Sequence, residues 1–223
     1  MVIKKALGQY FTEKNIFQLT AFKEWAHFID LKNKTILEPF AGSNNLIHML
    51  QNEKLCSSFK SVDIDPKHID VQYNDSFTNF PKDFEVCITN PPFAPKNQIA
   101  SGAIQSSIKL QDGYEDLYQL ALKLILENCK YAAVIVPASY LTSNRIGSNR
   151  LQSIILLEDK NIFQETAHPV CLALFCNELV TDFKIYSNDS YLGTFQQLKS
   201  YPFSKEIKIK INHKENKGNV CIH

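Results

Sequence analysis

Asn90, Pro91, Pro92 and Phe93 stand in an unbroken row directly after the apolar stretch 84–89, and their types suit one kind of chemistry. An asparagine side chain offers a carbonyl acceptor and an amide donor. Pro91 keeps its carbonyl but has no N–H, and two successive prolines stiffen the backbone that carries them. Asn90 Oδ1 and the Pro91 carbonyl can therefore accept both hydrogens of one exocyclic amino group. Phe93 adds a π-face on which a planar base can stack. The same four residues also read as an Asn-Pro turn with a hydrophobic anchor.

Two other places carry residues of the right type. Glu38, Pro39, Phe40, Ala41, Gly42, Ser43 and Asn44 follow a short apolar run. Gly42 lets the backbone pass close to a ligand, and a helix starting after it would present free N–H groups. There is no GxGxxG and no P-loop Gly-Lys-Ser/Thr, so the segment alone reads equally as a plain strand-to-helix turn. Asp63 follows roughly 20 residues later, where an acid in such folds accepts hydrogen bonds from ribose hydroxyls. A capping or solvated aspartate is the alternative, since Asp65-Pro66 is also a good helix start. Asp63 is favoured over Asp65 because it lies nearer the apolar run. Asp75, taken alone, reads as an Asx turn.

The elements that must position these residues are legible in the spacing. Residues 15–29 place Ile16, Leu19, Phe22, Ala26 and Ile29 at helical steps. A strand is predicted at 35–37, stopped by Pro39, and a helix at 43–53. Further strands are predicted at 58–64, 84–89, 132–136, 153–157 and 170–175, and a strong helix at 114–128. Strands alternating with helices predict a doubly wound α/β sheet, mostly parallel. The strands at 153–157 and 170–175 lie only a short connection apart, which predicts an antiparallel edge hairpin. Residues 94–113 lose periodicity, and such a length inside a compact domain is usually functional or mobile. From 177 onward the chain turns polar and Lys-rich, with an alternating strand pattern at 206–211.

The composition excludes several classes. The 223 residues carry 24 Lys plus Arg against 23 Asp plus Glu, a net charge of +1. That is neither a globally basic nucleic-acid coat nor an acidic tail. No run of about 18 apolar residues occurs, so no membrane span is expected. The first residues have no apolar core of a secretory signal. The six cysteines include no CxxC and lack zinc-site spacing. They read as reduced core thiols of a cytoplasmic protein.

With its motifs in this order, the chain resembles the N6-adenine DNA methyltransferases of restriction-modification systems, in the group whose cofactor motif precedes the catalytic one. The resemblance runs from about Gly8 to Phe175. It implies a Rossmann-like methyltransferase fold that uses S-adenosyl-L-methionine. Gly8, Gln9, Tyr10, Phe11 and Thr12 are similar to an extra cofactor motif that packs over the methionine end of the cofactor. Glu38, Phe40 and Gly42 match the cofactor turn, Asp63 with Ile64 the ribose-binding acid, and Asp75 with Ser76 the contact to the cofactor adenine. Asn90, Pro91, Pro92 and Phe93 match the catalytic tetrapeptide. Phe163 falls where the family sets an aromatic or apolar side chain against the target base, and reads equally as a core phenylalanine closing a hairpin. Asn44 stands in place of a second glycine, a substitution that a left-handed backbone tolerates. Ala121 stands where an aromatic often touches the cofactor adenine.

The resemblance implies methyl transfer to an adenine flipped out of double-stranded DNA, with no metal, Phe93 on one face of the base and Phe163 on the other. Related chemistry on RNA or on protein glutamine, or a non-catalytic DNA-binding subunit, are the alternatives. Residues 1–176 are expected to form the catalytic domain and 177–223 a small extension. The stretch 199–217, with six lysines against two glutamates, reads either as a phosphate-contacting stripe or as a solvated strand. Specificity is expected from that tail and the 94–113 loop, from a specificity subunit, or from sequence beyond His223. A cognate restriction endonuclease is the other expected partner.

Overall fold

The computed structural model describes residues 15–95, 114–142, 149–157 and 169–200. One nine-stranded sheet organises them. Its strands are β1 (Thr35–Glu38), β2 (Ser58–Asp63), β3 (Val71–Tyr73), β4 (Val86–Thr89) and β5 (Tyr131–Pro137), then β6 (Leu151–Leu157), β7 (Val170–Phe175), β8 (Lys184–Ser187) and β9 (Ser190–Thr194). The spatial order is β3-β2-β1-β4-β5-β7-β6-β8-β9. Strands β1 to β5 pair in parallel among themselves, β7 runs antiparallel to both β5 and β6, β8 is parallel to β6, and β9 closes antiparallel on β8. The helices are α1 (Thr20–Phe28), α2 (Asn45–Asn52), α3 (Leu117–Asn128) and α4 (Phe195–Lys199).

Alternation along β5 decides how the layers form. Ala133 and Ile135 join the core under α1 and α2, whereas Ala132, Val134 and Val136 join the core under α3. All five are fully buried. A strand covered on both faces must be apolar at every position, which is why these runs were continuous rather than alternating. Trp25 ties α1 to the sheet by donating its indole N–H to the Phe175 carbonyl at 3.1 Å. Arg150, just before β6, donates to the carbonyls of Leu126 (2.6 Å), Cys129 (2.8 Å), Cys176 (2.8 Å) and Lys130. One guanidinium thereby holds the end of α3, the start of β5 and the end of β7 together.

The α/β architecture and the antiparallel pairing of 153–157 with 170–175 agree with the sequence. The hairpin has a different position, however. β7 inserts between β5 and β6, and the edge beyond them is formed by β8 and β9, joined through Asn188 (φ 46°) and Asp189. The sheet therefore runs on past residue 176. The expected helix 15–29 is interrupted at Leu19 (φ −61°, ψ 135°), because Asn15 caps a short 3₁₀ turn by accepting from Phe17 N. β3 was not predicted, since only Val71 of its three residues faces the interior. Of the cysteines, Cys87, Cys129, Cys171 and Cys176 are buried free thiols and Cys56 is half-buried; Cys221 lies outside the described residues. Among the described residues no helix is long and apolar enough to cross a membrane.

Candidate active site

The strand order reverses direction at β1 and β4: β1 leads outward to β2 and β3, and β4 leads the other way to β5. Ligands in such sheets bind outside the carboxyl ends of the strands at this reversal. Glu38 ends β1, Asp63 ends β2, and Asn90 follows β4. Topology alone thus gathers the three sequence-predicted motifs on one rim.

The turn after β1 is held by its neighbours. Gly42 (φ 50°) donates its N–H to Asp63 Oδ2 at 2.8 Å, while Asp65 N donates to Asp63 Oδ1 at 2.7 Å. Lys67 N returns to the Gly42 carbonyl at 3.1 Å, and Ala41 N reaches the Val62 carbonyl at 3.0 Å. Asn44 adopts a left-handed backbone (φ 63°, ψ 23°) at the N-cap of α2. Its side chain turns inward, where Oδ1 accepts from Ser61 Oγ at 2.6 Å. That is the conformation for which a glycine or an asparagine is needed.

Asp63 is only 4% exposed, so burial raises its carboxyl pKa, and the two backbone N–H groups oppose the shift. Glu38 is buried as well. Desolvation pushes its pKa to about 8, against the opposing hydrogen bonds from Thr89 and from Phe40 N. Thr89 Oγ1 donates to Glu38 Oε1 at 2.5 Å, and Phe40 N donates to the same oxygen at 3.2 Å. Glu38 Oε2 and Asn44 Nδ2 are buried and have no hydrogen-bond partner among the described residues. A carboxyl oxygen and an amide nitrogen left unmatched at the two ends of one turn suit a polar ligand.

Asp75 makes the Asx turn that its type suggested, accepting from Phe77 N at 3.0 Å. Ser76 is buried and donates Oγ to the Pro39 carbonyl at 2.8 Å, which binds the 74–79 loop to the end of β1. Phe77 and Phe40 rings meet at 5.0 Å. Ile64 is 47% exposed, an apolar side chain presented beside Asp63. Beyond β4, Pro91 is buried, while Asn90, Pro92 and Phe93 are half-buried. Phe93 meets Tyr118 of α3 edge-on, with centroids 6.0 Å apart and the rings at 82°.

Two positioning residues escaped the sequence reading. Thr89 links the end of β4 to Glu38, and nothing in its type or spacing announces that. Asp116 accepts from Ala94 N at 2.9 Å and caps α3 by accepting from Tyr118 N at 3.2 Å. Leu117 N returns to the Ala94 carbonyl at 3.1 Å. The signal was present, an aspartate three residues before Gln119 at the head of an apolar helix. Ala121 is fully buried in α3. Phe11, Thr12 and Phe163 lie outside the described residues, as do 96–113 and the Lys-rich stretch beyond 200.

No protein-family model and no curated protein sequence matches the chain. Solved structures do. A Listeria monocytogenes protein assigned to the class I S-adenosylmethionine-dependent methyltransferases superposes with a TM-score of 0.55 at 16% identity, over 79% of this chain and 66% of its own. A Vibrio vulnificus protein assigned as the modification subunit of a type I restriction enzyme gives 0.55 at 15% identity, over 81% and 47%. The type I restriction-modification methyltransferase subunit from Streptococcus thermophilus gives 0.55 at 12% identity, over 86% and 53%. This chain thus spans between about half and two thirds of their lengths. The likeness, the strand order and the rim at the sheet reversal agree on one point: the chain has the fold of the class I S-adenosylmethionine-dependent methyltransferases.

Proposed function

We propose that the chain is an S-adenosylmethionine-dependent methyltransferase acting on the N6 amino group of adenine in double-stranded DNA, as the modification activity of a restriction-modification system. The observation that carries this reading is the shared rim: Asn90, Pro91, Pro92 and Phe93 leave β4 beside the strand whose end carries Glu38 and the Gly42 turn. An amine-holding motif and a cofactor-type turn belong to one catalytic centre only if adjacent strands present them at the same end, and β1 and β4 are adjacent and parallel.

The residues at the turn suit the cofactor. Once ionised, buried Glu38 Oε2 can accept from a cationic amino group, whose charge itself favours the carboxylate form, and Gly42 leaves room for close backbone approach. Asp63 would take the ribose hydroxyls, because its carboxylate ends β2 on the same rim as the Gly42 turn and already accepts from the turn's own N–H. Phe40, Ile64, Asp75 and Ser76 would frame the cofactor adenine, and Phe11 and Thr12 the methionine end. The bound cofactor supplies an electrophilic methyl group on a sulfonium. The chain's own part is positioning: Asn90 Oδ1 and the Pro91 carbonyl accept the two amino hydrogens and fix where the nitrogen lone pair points. Phe93 receives the flipped ring, which offsets part of an unstacking cost of a few kcal/mol. A specificity subunit and a restriction endonuclease are the partners this reading implies, in the cytoplasm.

Methylation mapping tests it. Genomic DNA from source cells carrying the wild-type chain or Asn90→Ala is sequenced for N6-methyladenine. Loss of modification at one recurring sequence in the variant is the expected result. Unchanged adenine methylation, with tritiated methyl groups from the same cofactor entering only RNA or protein, would overturn it.

A further inference from the structure

His48, His68 and Asp70 form a cluster outside the motif residues. His48 lies on α2; His68 and Asp70 lie in the loop between β2 and β3. The two imidazole rings meet edge-on, with centroids 4.7 Å apart at 72°. One donor atom from each of the three residues lies within 4.8 Å of the other two. Asp70 Oδ2 stands 3.5 Å from His68 Nδ1, and Asp70 N donates to the same nitrogen at 3.2 Å. Both rings are half-exposed and Asp70 is exposed, so solvent reaches the cluster. Neither histidine belongs to the apolar cores that surround α2.

The loop that carries His68 is anchored on both sides. Lys67 N is fixed to the Gly42 carbonyl at 3.1 Å, and Val71 N to the His68 carbonyl at 3.1 Å. Asp65 pairs with Lys67 at 2.5 Å. His48 is fixed by the helix. The pair of rings is therefore held together by backbone that has little freedom to separate them.

Two imidazoles and one carboxylate make a borderline ligand set. It suits first-row transition ions rather than the oxygen-seeking magnesium or calcium. A tetrahedral zinc site with bonds of 2.0–2.1 Å places its donors roughly 3.3 Å apart. The three donors lie within 4.8 Å of one another, about 1.5 Å from that spacing at most. We propose that His48, His68 and Asp70 bind one divalent transition-metal ion, leaving its remaining position to water. The ion bridges α2 to the loop after β2, the two segments that flank the Gly42 turn, and it does so whether or not the chain transfers methyl groups.

Zinc is the probe. The full-length chain is freed of metal with a chelator, dialysed, and titrated with Zn²⁺ by calorimetry. His48→Ala, His68→Ala and the double variant are titrated in parallel, with His27→Ala, an exposed histidine on α1, as control. Melting in chelator establishes that each variant is folded. One equivalent should bind to wild type and to His27→Ala, and at least tenfold more weakly to each cluster variant. At a hundredfold excess over Kd, Zn²⁺ should raise the wild-type Tm by about 5–10 °C and leave the double variant unmoved. Equal zinc binding by wild type and the double variant, or no saturable binding by wild type, would overturn the assignment.

Discussion

Gly42 N–H and Asp63 Oδ2 lie 2.8 Å apart, so the acid at the end of β2 holds the glycine turn that leaves β1. The same carboxylate takes Asp65 N on its other oxygen. Asp63 is thus a brace for the turn as well as the residue proposed to hold ribose. Asp63→Ala leaves two backbone donors without their acceptor at a buried site, a loss of about 1–3 kcal/mol. The expected outcome is a lower Tm together with loss of S-adenosylmethionine binding by calorimetry. Asp63→Asn, which keeps one carbonyl oxygen, should fall between the two in both measurements.

Glu38 gives the fold a pH dependence with a definite sign. Burial pushes its carboxyl from the ordinary 4.5 up to about 8 in the folded state, chiefly through desolvation. The folded state therefore binds more protons than the unfolded state across that interval. Stability from this group is fully present below pH 4.5 and is lost as pH rises through about 8. Its slope reaches at most about 1.4 kcal/mol per pH unit. Glu38→Gln mimics the neutral form, so its urea midpoint should decline less than that of wild type between pH 5 and pH 8. Parallel declines would show that Glu38 does not carry the effect.

The role proposed for Asn90 is separable from cofactor binding. It follows β4, whereas the turn proposed to hold the cofactor follows β1. Asn90→Ala should leave S-adenosylmethionine affinity within about twofold and lower methyl transfer by about 10²–10³-fold, on the scale of losing a positioned polar contact in a catalytic site. A calorimetric titration paired with a tritiated-methyl assay reads both. Equal loss in the two would make Asn90 part of the cofactor site.

Why some residues were legible and others not follows from where their partners lie in sequence. Gly42, Asn44 and Asp63 could be read because a positive φ and a strand-end acid are local demands on residue type. The strands β1, β4 and β5 were legible because burial on both faces makes continuous apolar runs. Thr89 was not, because its partner Glu38 is 51 residues away and hydroxyls at strand ends are common. β8 and β9 were missed because their outward faces are polar or exposed, with only Ile185 and Gly193 fully inside. The interposition of β7 between β5 and β6 is a matter of strand order, and no local pattern encodes it.

Asp116 couples the residue after the tetrapeptide to α3, and its substitution separates two effects. Removing an N-cap carboxylate typically costs about 1 kcal/mol. Here Ala94 N loses its partner as well. Asp116→Ala should therefore lower stability by about 1–3 kcal/mol and loosen the exit from Phe93, reducing kcat more than substrate binding. Asp116→Asn is an equally good cap and should restore most of the stability. Denaturant midpoints and steady-state kinetics on the three proteins check this; full activity in Asp116→Ala would remove the residue from the positioning of Phe93.

Asn44 offers a cleaner test, since its backbone and side chain do different things. The φ of 63° costs an alanine about 1–2 kcal/mol but costs a glycine almost nothing. The side chain contributes the hydrogen bond from Ser61 Oγ at 2.6 Å. Asn44→Gly should therefore lose only that bond, about 0.5–1.5 kcal/mol, and keep the turn. Asn44→Ala should lose the bond and strain the turn, for a total of about 1.5–3.5 kcal/mol. Ser61→Ala should cost Asn44→Gly nothing further, because the two side chains act as one pair; urea midpoints of the single and double variants measure that coupling. If the Gly and Ala variants prove equally stable, the backbone at residue 44 is not left-handed in solution.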